Sequence, residues 1–207
     1  GAMSVRPPLP GIDLPGIFHV RTVPDVRQIR AWIERGTSFL EGMYNYSGIQ
    51  FVKPPRRAVV VGGGFIGLET AENLAHLGFE VTLVEMLDQV LAPLDREFAR
   101  LVEEDRTKHA VRLGLDDGVA GFVHEHLARH GIKLALGDGV AGFSARDDGE
   151  IEVRTASGKT HPADLVILAL GVKPEVGLAR AAGLEIGARG GIRVDEHMRT
   201  SEPDILA

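Results

Sequence analysis

The feature that most constrains this chain is a join. The apolar run Ala58-Val59-Val60-Val61 passes without a break into Gly62-Gly63-Gly64, and an amphipathic pattern through Ile66, Leu68, Ala71, Leu74 and Ala75 follows at once. An unbroken β-branched run is the signature of a strand buried on both faces, and such strands belong to parallel sheets covered by helices. Gly78 ends the helical pattern, and Phe79–Val84 reads as a second strand closing at Glu85. Strand, glycine turn, helix and strand within about 30 residues make one right-handed βαβ unit.

Inside that unit Gly62-x-Gly64-x-x-Gly67 has the spacing of a dinucleotide fingerprint, and Glu85 stands 18 positions after Gly67. Each residue type has a physical task. Gly62 permits the tight turn, Gly64 lets the backbone approach a pyrophosphate, and Gly67 lets helix and strand pack closely. The helix opening at Phe65 and Ile66 presents free N–H groups and the positive end of its dipole to the phosphates. Glu85 is placed to accept hydrogen bonds from the adenosine ribose. Its charge repels a 2′-phosphate, and Met86-Leu87-Asp88 supplies no arginine to reverse that preference. The expected ligand is therefore NAD(H) rather than NADP(H).

The rest of the chain fits a three-layer, Rossmann-like α/β domain. Ile132–Leu136 reads as a third strand. Segments at Phe143–Arg146, Glu150–Arg154 and Thr160-His161 alternate between glycine turns, as an antiparallel β-meander crossover does. Asp164–Leu170 is again a buried strand, ending at Gly171. Before the fingerprint, Pro7–Pro15 is expected to lie extended on a surface, and Pro24-Asp25 opens a short helix through Trp32 and Ile33 to Gly36. Gly1–Ser4 reads as a cleavage scar outside the fold.

The 207 residues hold no cysteine, which removes disulfide, thiolate–zinc and thiol redox chemistry from the chain itself. A net charge of −6 without a basic stripe argues against nucleic acid as partner. No apolar run approaches a membrane span and no signal peptide opens the sequence, so a cytoplasmic location is expected. His126 and His130 are one helical turn apart, but Ala128 stands where a His-Glu-x-x-His zinc motif starting at His124 needs histidine. His124, His126 and His130 are read as solvent-facing, with no metal site expected.

At Val61–Glu69 the sequence closely resembles the pyridine nucleotide–disulfide oxidoreductase family, in its NADH oxidase, NADH peroxidase and coenzyme A-disulfide reductase branch. The resemblance runs on through Pro10–Phe18, Arg21–Asp25, Ala163–Pro174 and Thr200–Ala207. It implies that Glu69 lies at the nicotinamide end of the site and that the backbone of Gly171 borders the nicotinamide. It also implies a parent enzyme passing hydride from NADH to FAD, and on to a disulfide, peroxide or oxygen. The FAD fingerprint and the redox cysteine of that parent are not in this sequence. The reading is of an NAD(H)-binding domain excised from its FAD and interface domains: it binds the dinucleotide, not FAD, and has no catalytic residue of its own.

Two stretches depart from the family pattern. Residues 37–55 intervene where the family runs almost directly from Gly36 to Arg56, and an extra stretch falls near residues 96–116. There Leu94-Asp95, Ala99 and Val102 recur at Leu115-Asp116, Ala120 and Val123, and Gly114, Gly118 and Gly121 are expected to interrupt any single helix from Asp95 to His130. The domain reading is therefore a linker and short helix at 5–36, an insertion at 37–55, and a dinucleotide domain at 56–207. Natural insertion and deliberate grafting both remain open. In the second case the chain is an engineered scaffold whose two insertions form a binding surface. Apolar residues such as Trp32, Phe39 and Phe51, uncovered by the missing domains, point to a homodimer or an engineered partner.

Overall fold

The computed structural model describes residues 1–34, 56–91, 118–146 and 149–207. The insertion at 37–55, the extra stretch at 96–116, Phe39 and Phe51 lie outside the described residues. The chain divides into two compact units, Pro7–Ala169 and a second made of Gly1–Arg6 with Leu170–Ala207.

The larger unit contains a five-stranded sheet of β2 (Ile17–His19), β3 (Arg57–Val61), β4 (Glu80–Val84), β5 (Lys133–Ala135) and β9 (Leu165–Leu168). The strand order is β2-β9-β3-β4-β5, and every neighbouring pair is parallel. Helix α1 (Val23–Glu34) follows β2, α2 (Phe65–His76) joins β3 to β4, and α3 (Gly118–Arg129) precedes β5. From β5 the chain runs through an antiparallel meander, β6 (Val140–Ala145), β7 (Ile151–Thr155) and β8 (Thr160–Ala163), and returns to the far side of β3 as β9. That reversal makes the carboxyl end of β3 the switch point where open α/β sheets bind ligands.

The two-sided burial expected of the apolar runs is present. Val59, Val60, Leu83, Leu165, Val166 and Ile167 are all at most 1% exposed. Each such side chain contributes roughly 1.5–3 kcal/mol of transfer free energy. Helix α2 covers this core with Leu68, Ala71 and Leu74, and closes in a Schellman pattern: Gly78 N–H donates to Ala75 O and Phe79 N–H to Leu74 O. An ion cluster locks the sheet's opposite end. Arg57 reaches both Glu150 and Asp164, and Asp164 also accepts the N–H groups of Arg56 and Arg57, each at 2.9 Å. Burial pushes the Asp164 carboxyl up, but the guanidinium and backbone donors outweigh it and hold it below the usual value.

The structure alters three expectations. The Pro- and Gly-rich stretch is built into the domain rather than laid over it. Ile12 and Ile17 are buried, Pro10 O accepts the Phe143 N–H at 2.8 Å, and β2 adds an outer strand beside β9. Three residues between prolines and glycines are too few to show a period. Trp32, offered as uncovered surface, is half-buried, edge-on to Phe18, and its Nε1 donates to Asp164 O at 2.9 Å. Gly121 stays inside α3 instead of breaking it, because Leu127 at the sheet anchors the helix whatever Gly121 costs in propensity.

In the smaller unit, β1 (Ala2–Ser4) pairs antiparallel with β10 (Val172–Pro174), followed by α4 (Gly177–Ala181) and two isolated bridges. Residues set aside in the sequence as a scar thus form a strand here, and Leu170–Ala207 belong to this smaller unit.

Candidate functional site

The glycine turn leaves β3 at Gly62, whose φ of +110° no side chain would readily accept. Its N–H donates to Val84 O at 2.8 Å, tying the turn to the end of β4. At Gly67 an added Cβ would overlap the Gly62 carbonyl oxygen, so the helix can lie this close to the turn only without a side chain. Gly64 is the opposite case. It is exposed, with no atom within 4 Å of where a Cβ would stand, and it caps α2 without a side-chain bond. The first-turn N–H groups therefore have no acceptor within the helix, and they face an open step. Phe65 and Ile66 are 67% and 44% exposed at that step.

Glu85 sits half-buried just past β4, beside the turn. Its Oε2 accepts the Gly63 N–H at 2.6 Å and its Oε1 the Leu87 N–H at 2.9 Å. The loop after β5 closes in from the other side: Asp138 N–H donates to Glu85 O at 3.1 Å and Gly137 N–H to Leu87 O at 2.7 Å. Asp138 is itself fixed by the Ser157 hydroxyl and N–H, which hold its carboxyl down at about 2. Gly62, Gly63, Gly64, Gly67 and Glu85 thus meet at the carboxyl ends of β3 and β4. Phe65 and Ile66 stand at the edge of this group.

Glu69 lies one turn further along α2, exposed, with its backbone oxygen accepting Asn73 Nδ2 at 2.7 Å. Gly171 belongs to the smaller unit, where it has φ +83° and its carbonyl accepts the Val5 N–H at 2.9 Å. Sequence reasoning missed the partners of Glu85. Gly63 fell at an unassigned position of the fingerprint, and nothing in the sequence marks the N–H of Leu87.

The histidines need one correction. His124 does not face solvent: it is half-buried, and its Nε2 accepts the Val90 N–H at 3.1 Å. A two-residue offset on α3, about 200° around the helix, separates its face from that of His126 and His130. Those two are exposed, with ring centres 4.3 Å apart and planes tilted by 36°, and line a shallow cleft of about 170 Å³ with Glu72 and His76. His126 Nε2 lies 3.5 Å from Glu72. Among the described residues no group of three or more such side chains is placed to hold a metal ion.

The family model of pyridine nucleotide-disulphide oxidoreductases matches residues 1–121 and 111–207, so the whole chain is covered. The chain belongs to this family. Its two matched parts overlap where the extra stretch near 96–116 ends. The NADH oxidase of Methanocaldococcus jannaschii is 33% identical over 100% of this chain and 37% of its own length. The reduced CoADR-RHD of Bacillus anthracis superposes with a TM-score of 0.74 at 38% identity, over 100% of this chain and 30% of that one. An engineered water-forming NADPH oxidase bound to NADPH, a mutant of the Lactobacillus brevis NADH oxidase, gives 0.68 at 25% identity, over 100% of this chain and 36% of that one. The chain spans 18–40% of the length of the curated relatives that it matches. Among the described residues no helix is long and apolar enough to cross a membrane.

Proposed function

We propose that this chain is the NADH-binding part of a flavoprotein oxidoreductase, with the dinucleotide lying across the carboxyl ends of β3 and β4. The observation that carries the reading is the Glu85 carboxylate, clamped by Gly63 and Leu87 beside the uncapped start of α2. A pyrophosphate over Gly64 would meet the N–H groups of Phe65, Ile66 and Gly67 and the helix dipole, with no Cβ in the way. The adenosine ribose would then reach Glu85, whose carboxylate accepts its hydroxyls and repels a 2′-phosphate.

The engineered relative supports that preference. Among its five substitutions, an aspartate is replaced by alanine 18 positions after a glycine-to-alanine change, and the next residue becomes arginine. Glu85 stands at the same separation from Gly67, followed by Met86. By the family resemblance, Glu69 borders the nicotinamide. Bound NADH would supply a hydride, for which a flavin held by other parts of the parent enzyme would be the acceptor. The final acceptor in the parent is a disulfide, a peroxide or oxygen.

Calorimetric titration with NADH and NADPH, with Glu85→Ala alongside, tests the reading. Micromolar NADH binding, weaker for NADPH and less selective in the variant, is the expected result. A folded sample that binds neither nucleotide overturns it.

A further inference from the structure

We propose that His124 is a positioning residue for the dinucleotide site, although it lies on α3 and outside every motif of the fingerprint. The proposal rests on the NADH reading above and adds to it how the ribose-binding loop is held.

The loop Glu85–Leu91 carries the carboxylate and packs directly on the glycine turn. Leu91 N–H donates to Gly63 O at 2.9 Å, and Gly63 N–H donates to Glu85 Oε2 at 2.6 Å. The second glycine of the turn is therefore gripped at both its polar groups by the two ends of one loop. Val90 is fully buried, with its Cγ1 only 2.9 Å from where a Cβ on Gly63 would stand. Such a grip needs a fixed loop, and this loop holds an unfavourable conformation. Leu91 has φ +53°, in the left-handed region that a leucine rarely enters, and such geometry persists only where the surroundings impose it.

His124 supplies part of that imposition. Its Nε2 accepts the Val90 N–H at 3.1 Å, one residue before the strained position, and this donor is otherwise sealed in the core. Accepting at Nε2 requires the neutral ring with its proton on Nδ1. The line of contact runs from His124 through Val90 and Leu91 to the Gly63 carbonyl, and back through the Gly63 N–H to Glu85. Without the acceptor at 124 the buried N–H has no partner, and the loop gains by turning it to water. That movement slackens the bonds that aim Glu85.

The test compares wild type, His124→Leu and His124→Gln, the last restoring an acceptor. Amide hydrogen exchange at Val90 and Leu91 reads the latch, and calorimetry reads NADH affinity. In His124→Leu both amides are expected to exchange at least about tenfold faster and NADH to bind about tenfold more weakly, the effect of orphaning one buried donor. His124→Gln should recover most of both losses. If His124→Leu leaves both unchanged, or if His124→Gln is no better than His124→Leu, the ring merely fills space and the proposal falls. If wild type binds no NADH, the functional reading fails, while the exchange rates still decide whether His124 holds the loop.

Discussion

Replacing Gly67 with alanine probes how closely α2 must approach the turn that starts it. The added Cβ would overlap the Gly62 carbonyl oxygen and stand 3.0 Å from the Gly62 carbonyl carbon and 3.4 Å from Ala169 Cβ. Two of these neighbours are backbone of a residue already fixed at φ +110° and bonded to Val84, so neither can rotate aside. Relief must come from α2 backing away, which withdraws Leu68, Ala71 and Leu74 from a core where they are 9%, 0% and 4% exposed. Overpacking with a backbone shift costs about 1–3 kcal/mol, and this site belongs at the upper end because nothing soft absorbs the strain. For a chain of this length that is a fall of roughly 6–12 °C in Tm. Gly64→Ala is the matched control, with open space around its Cβ and an ordinary φ of −79°. It should cost no more than about 1 kcal/mol of helix capping. Calorimetric melting with NADH titration separates the two: Gly67→Ala carries the larger fall in Tm, whereas Gly64→Ala loses at most about 4 °C and loses affinity because its methyl enters the pyrophosphate path. A Gly67→Ala protein melting within about 1 °C of wild type would refute the packing argument.

Arg57→Met removes the guanidinium shared by two half-buried carboxylates, Glu150 and Asp164, and should cost about 2 kcal/mol in urea denaturation at neutral pH. Because Asp164 is held below 3.8 in the folded state, its share of stability is present above that value and lost as pH falls through its folded pKa. The gap between wild type and variant should therefore narrow in acid, and a constant gap contradicts the assignment. Burial lowers the His161 pKa from 6.5, and its Nε2 has no partner among the described residues. The folded state thus binds that proton less readily than the unfolded chain, and stability should decline as pH drops below 6.5. His161→Phe should flatten the decline between about pH 7 and 5, and an unchanged slope counts against it. Deleting residues 96–116, the stretch that departs from the family pattern, should leave Tm within a few degrees and NADH affinity within about threefold, since connection length costs little. Loss of the folded state would make that stretch part of the core.

The sheet was legible wherever burial was two-sided. Val59–Val61 and Leu165–Leu168 announce themselves by unbroken apolar runs, Val81–Val84 by a run interrupted only at Thr82, and the meander by its Gly149 and Gly158 turns. Among the three-residue strands β5 was legible within the stretch Ile132–Leu136, whereas β1, β2 and β10 complete barely one period and take their existence from a neighbour. In the site, the glycines and Glu85 could be found because each performs a task that few other residue types can. The clamp on Glu85 could not, since a backbone N–H belongs to every residue except proline and leaves no mark on the sequence.

One pair of segments shows how far local sequence reaches. Gly118-Val119-Ala120-Gly121-Phe122 opens α3, while the same five residues at Gly139-Val140-Ala141-Gly142-Phe143 enter β6. Two glycines in five leave the backbone little preference of its own, so the flanking chain decides. After Phe122 come Val123, His124 and Leu127, which place apolar and bonded groups along one helical face over the sheet and Val90. After Phe143, Ser144 and Ala145 pair with Glu152 and Ile151 of β7, and Phe143 N–H is already committed to Pro10 O. The helix that carries His124 to the nucleotide loop is therefore specified by its second half. For that reason His124 could be seen in the sequence as a residue of a helix but not as a residue of the site.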